Sequence, residues 1–152
     1  MGVLLRDLGL KRVGVVGSGQ IGPDIALHFA KALAEQGVAV TVVDLAQDAL
    51  TRGRAKLEQK VAKAVESGAF TAATADAIRG AVTFTSDYDE LRGAGMVIEA
   101  ATEDVAVKRR IFARLETLCA PTTILASNSS HIEPGIIFTA TSASFDTNCG
   151  YR

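Results

Sequence analysis

The sequence predicts an α/β fold, in which a doubly wound and mainly parallel sheet carries flanking helices. Two observations support this prediction. Short β-branched runs alternate with amphipathic helical segments along most of the chain, and a glycine cluster directly follows the first such run. Parallel strands need crossover connections, which helices supply, so the alternation is typical of a parallel sheet. The 152 residues, 48% of them hydrophobic, are enough for one core.

The first half of the chain predicts strand, turn and helix in succession. A β-branched run over 11–16 ends at a glycine cluster, which is typical of a buried strand. Pro23 suits the first turn of the helix that follows, because proline has no amide hydrogen to satisfy there, and Gly37 supplies the stop. A second strand over 39–43 ends at Asp44.

The second half continues the alternation. A long charged helix is predicted from Gln47 to about Gly68, and another helix over 105–118. Their inner faces are predicted to carry Leu50, Leu57, Val61 and Val65 in the first helix, and Val107, Ile111, Leu115 and Leu118 in the second. Helical turns are predicted over 74–79, and strands over 82–85, 96–98 and 123–126. One domain therefore covers 1–138, with its last element over 132–138, and an irregular tail without periodicity covers 139–152.

Composition excludes several classes of function. Sixteen basic and seventeen acidic residues leave a net charge of −1, so neither a nucleic acid nor an anionic membrane is an expected partner. No apolar run approaches the roughly 20 residues that span a bilayer. Cys119 and Cys149 lack CxxC spacing and lie far from the two histidines, so we expect no metal site and a reducing, cytoplasmic compartment.

A phosphate-binding turn is the strongest functional signal. Gly17-Ser18-Gly19-Gln20-Ile21-Gly22 fits the G-x-G-x-x-G pattern and lies between a predicted strand and a helix start, as in Rossmann-type dinucleotide-binding folds. The first glycine allows a tight turn, the second lets the backbone approach a pyrophosphate, and the third lets the helix pack on the strand. The helix N-terminus adds free amides and a positive dipole end.

Asp44 gives the turn its partner. A carboxylate at the end of the second strand can accept both hydroxyls of an adenosine ribose. Its distance from Gly17 is slightly long for the simplest βαβ unit, and one extra helical turn of about 5 Å within 28–37 would absorb the excess. No arginine follows Asp44 closely to receive a 2′-phosphate, so the sequence favours NAD over NADP.

Two further segments accompany these residues. Residues 97–108, with Glu99, Glu103 and Lys108, look like an E-A-x-x-E-x-x-x-x-K motif, and 124–130 looks like an A-S-N-T-S motif. With the glycine turn, they make residues 11–131 resemble the N-terminal, NAD-binding domain of 3-hydroxyacyl-CoA dehydrogenases, which catalyse the third step of fatty-acid β-oxidation. An acyl-CoA substrate is the expectation for the full-length family.

The resemblance implies roles for four residues. Glu103 and Lys108 would lie near the nicotinamide half of the cofactor. Asn128 and Ser130 would lie near the reacting atoms, Asn128 as a cofactor-binding residue and Ser130 as a catalytic hydrogen-bonding group. Taken alone, Glu103 also fits a first-turn helix charge, Lys108 a solvated partner of it, and 127–130 a capping turn.

The family's base is not evident. Family members use a histidine, oriented by a glutamate, to take the proton from the 3-hydroxyl as hydride leaves for the nicotinamide. That histidine normally follows the A-S-N-T-S segment by about 20 residues, whereas this sequence has only His28, inside the first helix, and His131, beside Ser130. An extended segment would turn His131 away from Ser130. We therefore expect an incomplete, inactive chain, in which a homodimer is possible although the usual dimerisation domain is absent.

Two alternatives and two uncertain surface features remain. The alternatives are a non-catalytic NAD-binding or partner-binding module, and an S-adenosylmethionine-dependent methyltransferase, which usually has its acid just before the glycines, where Lys11 and Arg12 stand here. Asp24 replaces the small residue common after the third glycine, so it either points outward or weakens cofactor binding. A solvated basic face is the interpretation of Arg52, Arg54, Lys56 and Lys60.

Overall fold

A computed structural model describes residues 9–137. It confirms the predicted α/β class, while the predicted tail over 139–152 lies outside the described residues. The strands are β1 (Arg12–Val16), β2 (Ala39–Val43), β3 (Val82–Thr85), β4 (Met96–Glu99) and β5 (Ile124–Ser127). The helices are α1 (Gly22–Leu33), α2 (Gln47–Glu66), α3 (Ala72–Ala81), α4 (Val105–Leu118) and α5 (Pro134–Ile137), with 3₁₀ turns at Ala34–Gln36 and Tyr88–Leu91.

The five strands form one parallel sheet in the order β3-β2-β1-β4-β5. The chain order reverses at β1, and ligands of open α/β sheets bind outside the carboxyl ends of the strands at such a switch point. Val16 is in register with both Val43 and Glu99, and Glu99 is in register with Ser127. The residues that follow these four strands therefore meet at one edge of the sheet.

Both faces of the sheet are largely buried along β1, β2 and β4, whereas β5 at its edge is half-buried to exposed. Val15 and Val42 pack with the apolar residues of α1, α2 and α3, whereas Val16 and Val97 pack against α4 on the opposite face. Double burial explains why the strands are nearly continuous apolar runs. Within residues 9–137, no helix is both long and apolar enough to cross a membrane.

The predicted extra turn between the glycines and Asp44 is confirmed. The 3₁₀ turn Ala34–Gln36 extends α1, and Gly37 ends it in the left-handed conformation with φ 75°. The chain therefore gains the length it needs without disturbing β2, whose predicted bounds are also confirmed.

Two inner faces differ from prediction. Val65 is 37% exposed, so the buried face of α2 ends at Val61. In α4, Leu115 is buried as predicted, and Ile111 and Leu118 are half-buried and pack against the same cluster. Lys108 and Phe112, which the prediction left out, are fully buried, whereas Val107 is half-buried. Apolar spacing does not predict a buried lysine, and this lysine is buried with a partner.

Candidate dinucleotide-binding site

Two of the three glycines in the turn are required by close packing. Gly17 has φ 107°, and a Cβ there would lie 2.6 Å from the Cα of Ala101. A Cβ on Gly22 would lie 1.8 Å from the carbonyl oxygen of Gly17. The Gly17 amide donates to the Val43 carbonyl over 2.8 Å, which ties the turn to the end of β2. These contacts match the roles predicted for the first and third glycines.

Gly19 faces open space instead. Within residues 9–137, no atom beyond its two chain neighbours lies within 4 Å of the position that its Cβ would occupy, and Gly19, Gln20 and Ile21 are all exposed. Helix α1 begins at Gly22 without a side-chain cap. Pro23 has no amide hydrogen, and the Asp24 and Ile25 amides donate to the Ile21 carbonyl at 3.0 Å, so an anion would meet the positive dipole end and the amides of the turn that precedes the helix. The turn therefore offers an open cradle of the kind a pyrophosphate fills.

Asp44 lies directly beside this turn. Its Oδ2 atom accepts a hydrogen bond from the Ser18 amide at 2.8 Å, and its Oδ1 atom accepts one from the Ala46 amide at 2.9 Å. The side chain is half-buried, so the carboxylate is held in place and still reaches solvent. The structure thus brings together all seven residues predicted for the adenosine and pyrophosphate half of the site.

Gly53 is a site residue that the sequence argument missed. The Ser18 hydroxyl is buried and donates to the Ala49 carbonyl of α2 at 3.0 Å. A Cβ on Gly53 would lie 2.1 Å from that hydroxyl oxygen, so only glycine lets α2 pack so close to the turn. The available signal was a glycine inside a long helix. Glycine there costs about 1 kcal/mol of helix stability relative to alanine, so its presence points to a packing requirement.

Asp24 forms ion pairs with two lysines of α2. Its carboxylate accepts hydrogen bonds from Lys56 at 3.1 Å and Lys60 at 2.6 Å, and Lys56 also donates to the Gln20 carbonyl. Partial burial alone would raise the pKa of Asp24, but the hydrogen bonds from Lys60 and Lys56 outweigh it and lower that pKa below its usual range. The basic face is exposed at Arg52, Arg54 and Lys60, as predicted, whereas Lys56 is half-buried, and the pairing of Lys56 and Lys60 with Asp24 was not predicted.

The other edge of the site joins the loops after β4 and β5. The Ser129 hydroxyl donates to Glu103 Oε2 at 2.9 Å, and the backbone N–H of Asn128 donates to the backbone carbonyl of Glu99 at 2.8 Å. The side chains of Asn128 and Ser130 are exposed at this edge. The structure therefore places Glu103, Asn128 and Ser130 on adjoining loops, as the sequence predicts.

Lys108 is buried and is not a solvated partner of Glu103. It is 1% exposed, and its Nζ atom donates to Glu99 Oε2 at 2.5 Å inside the fold. The alternative interpretation of a solvated lysine is wrong, because Glu99 supplies a buried counter-charge. Glu99 was quoted in the motif but not assigned a role, and an acid at the end of a buried strand was the signal for one.

Neither histidine is placed as a base. His28 is exposed on α1, with its ring edge-on to Phe29 at 5.9 Å between centroids. His131 is exposed in a bend over 130–132, so the argument from an extended segment does not apply to it. Among residues 9–137, no carboxylate lies within ion-pair distance of His131.

Fold and site together define a dinucleotide-binding domain of the Rossmann type. The family model described as "3-hydroxyacyl-CoA dehydrogenase, NAD binding domain" matches residues 12–147. The chain belongs to this family, whose cofactor is NAD.

Known proteins agree with this assignment. A 3-hydroxybutyryl-CoA dehydrogenase of Mycobacterium tuberculosis is 43% identical over 124 residues, which cover 81% of this chain and 42% of that protein. The 3-hydroxyadipyl-CoA dehydrogenase of Escherichia coli is 34% identical, over 82% of this chain and 26% of that protein. The crystal structure of M. tuberculosis FadB2 superposes with a TM-score of 0.80 at 41% identity, over 86% of this chain and 45% of that one. This chain thus spans less than half the length of these relatives, and the comparisons favour neither the methyltransferase nor the non-catalytic module.

Proposed function

We propose that the chain is the NAD-binding part of an enzyme that oxidises 3-hydroxyacyl-CoA to 3-oxoacyl-CoA in fatty-acid metabolism. The family supports this activity, and the relatives named above are 3-hydroxybutyryl-CoA and 3-hydroxyadipyl-CoA dehydrogenases. Because the chain spans less than half of each relative, we assign to it the binding of the cofactor and not the recognition of the acyl chain. In this reaction, bound NAD would accept hydride from C3 of the substrate.

The residues fit a dinucleotide. The open space in front of Gly19 is the cradle that a side chain would fill, and the backbone amides from Gly19 to Gly22 would bind the pyrophosphate there, because those of Gly17 and Ser18 already donate within the fold. The ribose hydroxyls would be bound by Asp44. At the other edge, Glu103 and Asn128 would line the nicotinamide half, with Lys108 behind them.

Asp44 is the observation that carries the cofactor preference. Its carboxylate is anchored to the Ser18 amide beside the phosphate cradle, so it would lie next to the adenosine ribose. There it accepts hydrogen bonds from free hydroxyls and repels a 2′-phosphate. We therefore propose NAD rather than NADP.

Ser130 would hydrogen-bond the substrate oxygen near the reacting carbon. A neutral serine hydroxyl is too weak a base at pH 7 to take the proton, so the general base must be another group.

We propose a reducing, cytoplasmic compartment for the enzyme. The thiol of Cys119 is free and buried, and burial raises its pKa, which lowers its reactivity.

Fluorescence titration with NADH, NADPH and S-adenosylmethionine tests the proposal. The expected order is tight NADH binding, much weaker NADPH binding and none for S-adenosylmethionine. Asp44→Asn keeps the size of the side chain and should reduce the difference in affinity between NADH and NADPH. Equal affinity of the unaltered chain for NADH and NADPH would refute the role of Asp44.

A further inference from the structure

Glu99 and Lys108 form a buried ion pair underneath the nicotinamide edge. Among residues 9–137, they are the only charged side chains that are fully buried, at 0% and 1% exposure. Removing two charges from water is costly, and a well-packed apolar pair is often as stable or more stable. Stability alone is therefore a weak reason for this pair.

Every hydrogen bond of the Glu99 carboxylate ties it to an element of the site. Oε2 accepts from Lys108 on α4 at 2.5 Å and from the Ser127 hydroxyl at the end of β5 at 2.9 Å. Oε1 accepts from the amides of Ala101 at 2.8 Å and Thr102 at 3.4 Å, in the loop after β4. One carboxylate thus joins β4, the loop after it, the end of β5 and α4.

This junction controls the position of the loop over 100–104. Ala101 packs so closely on Gly17 that a Cβ there would lie 2.6 Å from the Ala101 Cα, and the Ala100 amide donates to the Val16 carbonyl at 2.8 Å. Two residues beyond Ala101, Glu103 accepts the hydrogen bond from Ser129. The buried carboxylate therefore sets both where the loop meets the glycine turn and where Glu103 lies.

We propose that Glu99 is a positioning residue for the nicotinamide half of the site, with Lys108 and Ser127 as its buried partners. It holds the loops after β4 and β5 at one separation and touches no ligand itself. This inference rests on the proposed NAD function and deepens it.

Ligands with and without the nicotinamide separate positioning from stability. ADP-ribose shares the adenosine, pyrophosphate and both riboses with NADH but lacks the nicotinamide ring. Ser127→Ala in the full chain removes one hydrogen bond to Glu99 and should weaken NADH about three- to tenfold, less than the full value of a hydrogen bond to a charged group because this bond acts on NADH only through the loops, while ADP-ribose stays within about twofold. Thr123→Val is the matched control, because the Thr123 hydroxyl bonds the Ala94 carbonyl at 2.8 Å at the opposite end of β5. It should lower the melting temperature and leave the ratio of the two affinities unchanged.

A second pair of variants keeps the test independent of folding. Glu99→Gln leaves the Lys108 charge buried without its partner and should destabilise the fold strongly. Adding Lys108→Met removes that charge, and we expect the melting temperature to recover while NADH remains selectively weakened. Recovery of NADH affinity together with stability would overturn the proposal, as would an equal loss of NADH and ADP-ribose in Ser127→Ala. If the unaltered chain bound neither ligand, the proposed function itself would fail, and this inference with it.

Discussion

Replacing Gly19 with valine should abolish NADH binding and leave the fold intact. In the part of the chain that the structure describes, only the two neighbouring residues have atoms within 4 Å of where the Cβ of residue 19 would lie, so the added side chain points into the space in front of the turn. Gly19 is not in the left-handed region, and no backbone strain arises from the change. The same substitution tests whether the open space belongs to a ligand, because the added side chain would occupy that space.

The two effects differ in size. Exposed substitutions change stability by about 0.5 kcal/mol or less, and 1 kcal/mol shifts the melting temperature of a domain of this length by about 2–4 °C, so the melting temperature should move by at most about 2 °C. A hydrogen bond from an amide to a charged group is worth about 1.5–3 kcal/mol, and losing two of them weakens NADH by more than about 100-fold. Fluorescence titration measures the affinity, and a thermal melt of the same sample measures the stability.

Gly22→Ala is the control, since its Cβ would lie 1.8 Å from the Gly17 carbonyl oxygen. That variant should lose both stability and NADH binding. If Gly19→Val bound NADH as tightly as the unaltered chain, the glycine run would be an ordinary loop, and the assignment of the pyrophosphate cradle would be wrong.

Three further substitutions have defined outcomes in the same titration and melt. Asp44→Ala should weaken NADH by about 1–3 kcal/mol and reduce the discrimination against NADPH; an unchanged ratio would contradict it. Asp24→Asn frees Lys56 and Lys60 beside the turn, so NADH should bind about two- to fivefold tighter at low salt, with the gain shrinking at high salt. Gly53→Ala should cost about 1–3 kcal/mol of stability, because its Cβ would lie 2.1 Å from the Ser18 hydroxyl; a normal melt would show that α2 can shift.

Local pattern predicted the elements that form the ligand edge. The predicted bounds of β2, β3 and α4 agree with the structure, because β-branched runs and helical spacing end at clear turn residues. The glycine turn and Asp44 were also predictable, since a short motif with a fixed spacing encodes them.

The pairings between distant elements were not predictable in this way. The alternative that placed Lys108 in solvent was wrong because helical spacing carries no information about Glu99, which reaches Lys108 only when β4 and α4 pack together. Lys56 and Lys60 meet Asp24 for the same reason, across the contact between α1 and α2. Gly53 is required by a hydroxyl on the glycine turn. Periodicity predicts on which face of its own helix or strand a residue lies. These interactions depend also on which side chains the neighbouring element places opposite that face.

The final prediction concerns turnover, and it follows from where the two histidines lie. A positioned general base contributes about 10²- to 10⁴-fold to rate, and substrate positioning contributes more. His28 lies on the exposed side of α1, and His131 is exposed in a bend without a carboxylate in the described part of the chain to orient it. We therefore expect the purified chain to bind NADH but to show no appreciable oxidation of NADH with acetoacetyl-CoA, and His131→Ala to leave both results unchanged. Rapid oxidation by the chain that disappears in His131→Ala would show instead that His131 moves next to Ser130 when substrate binds and acts as the base.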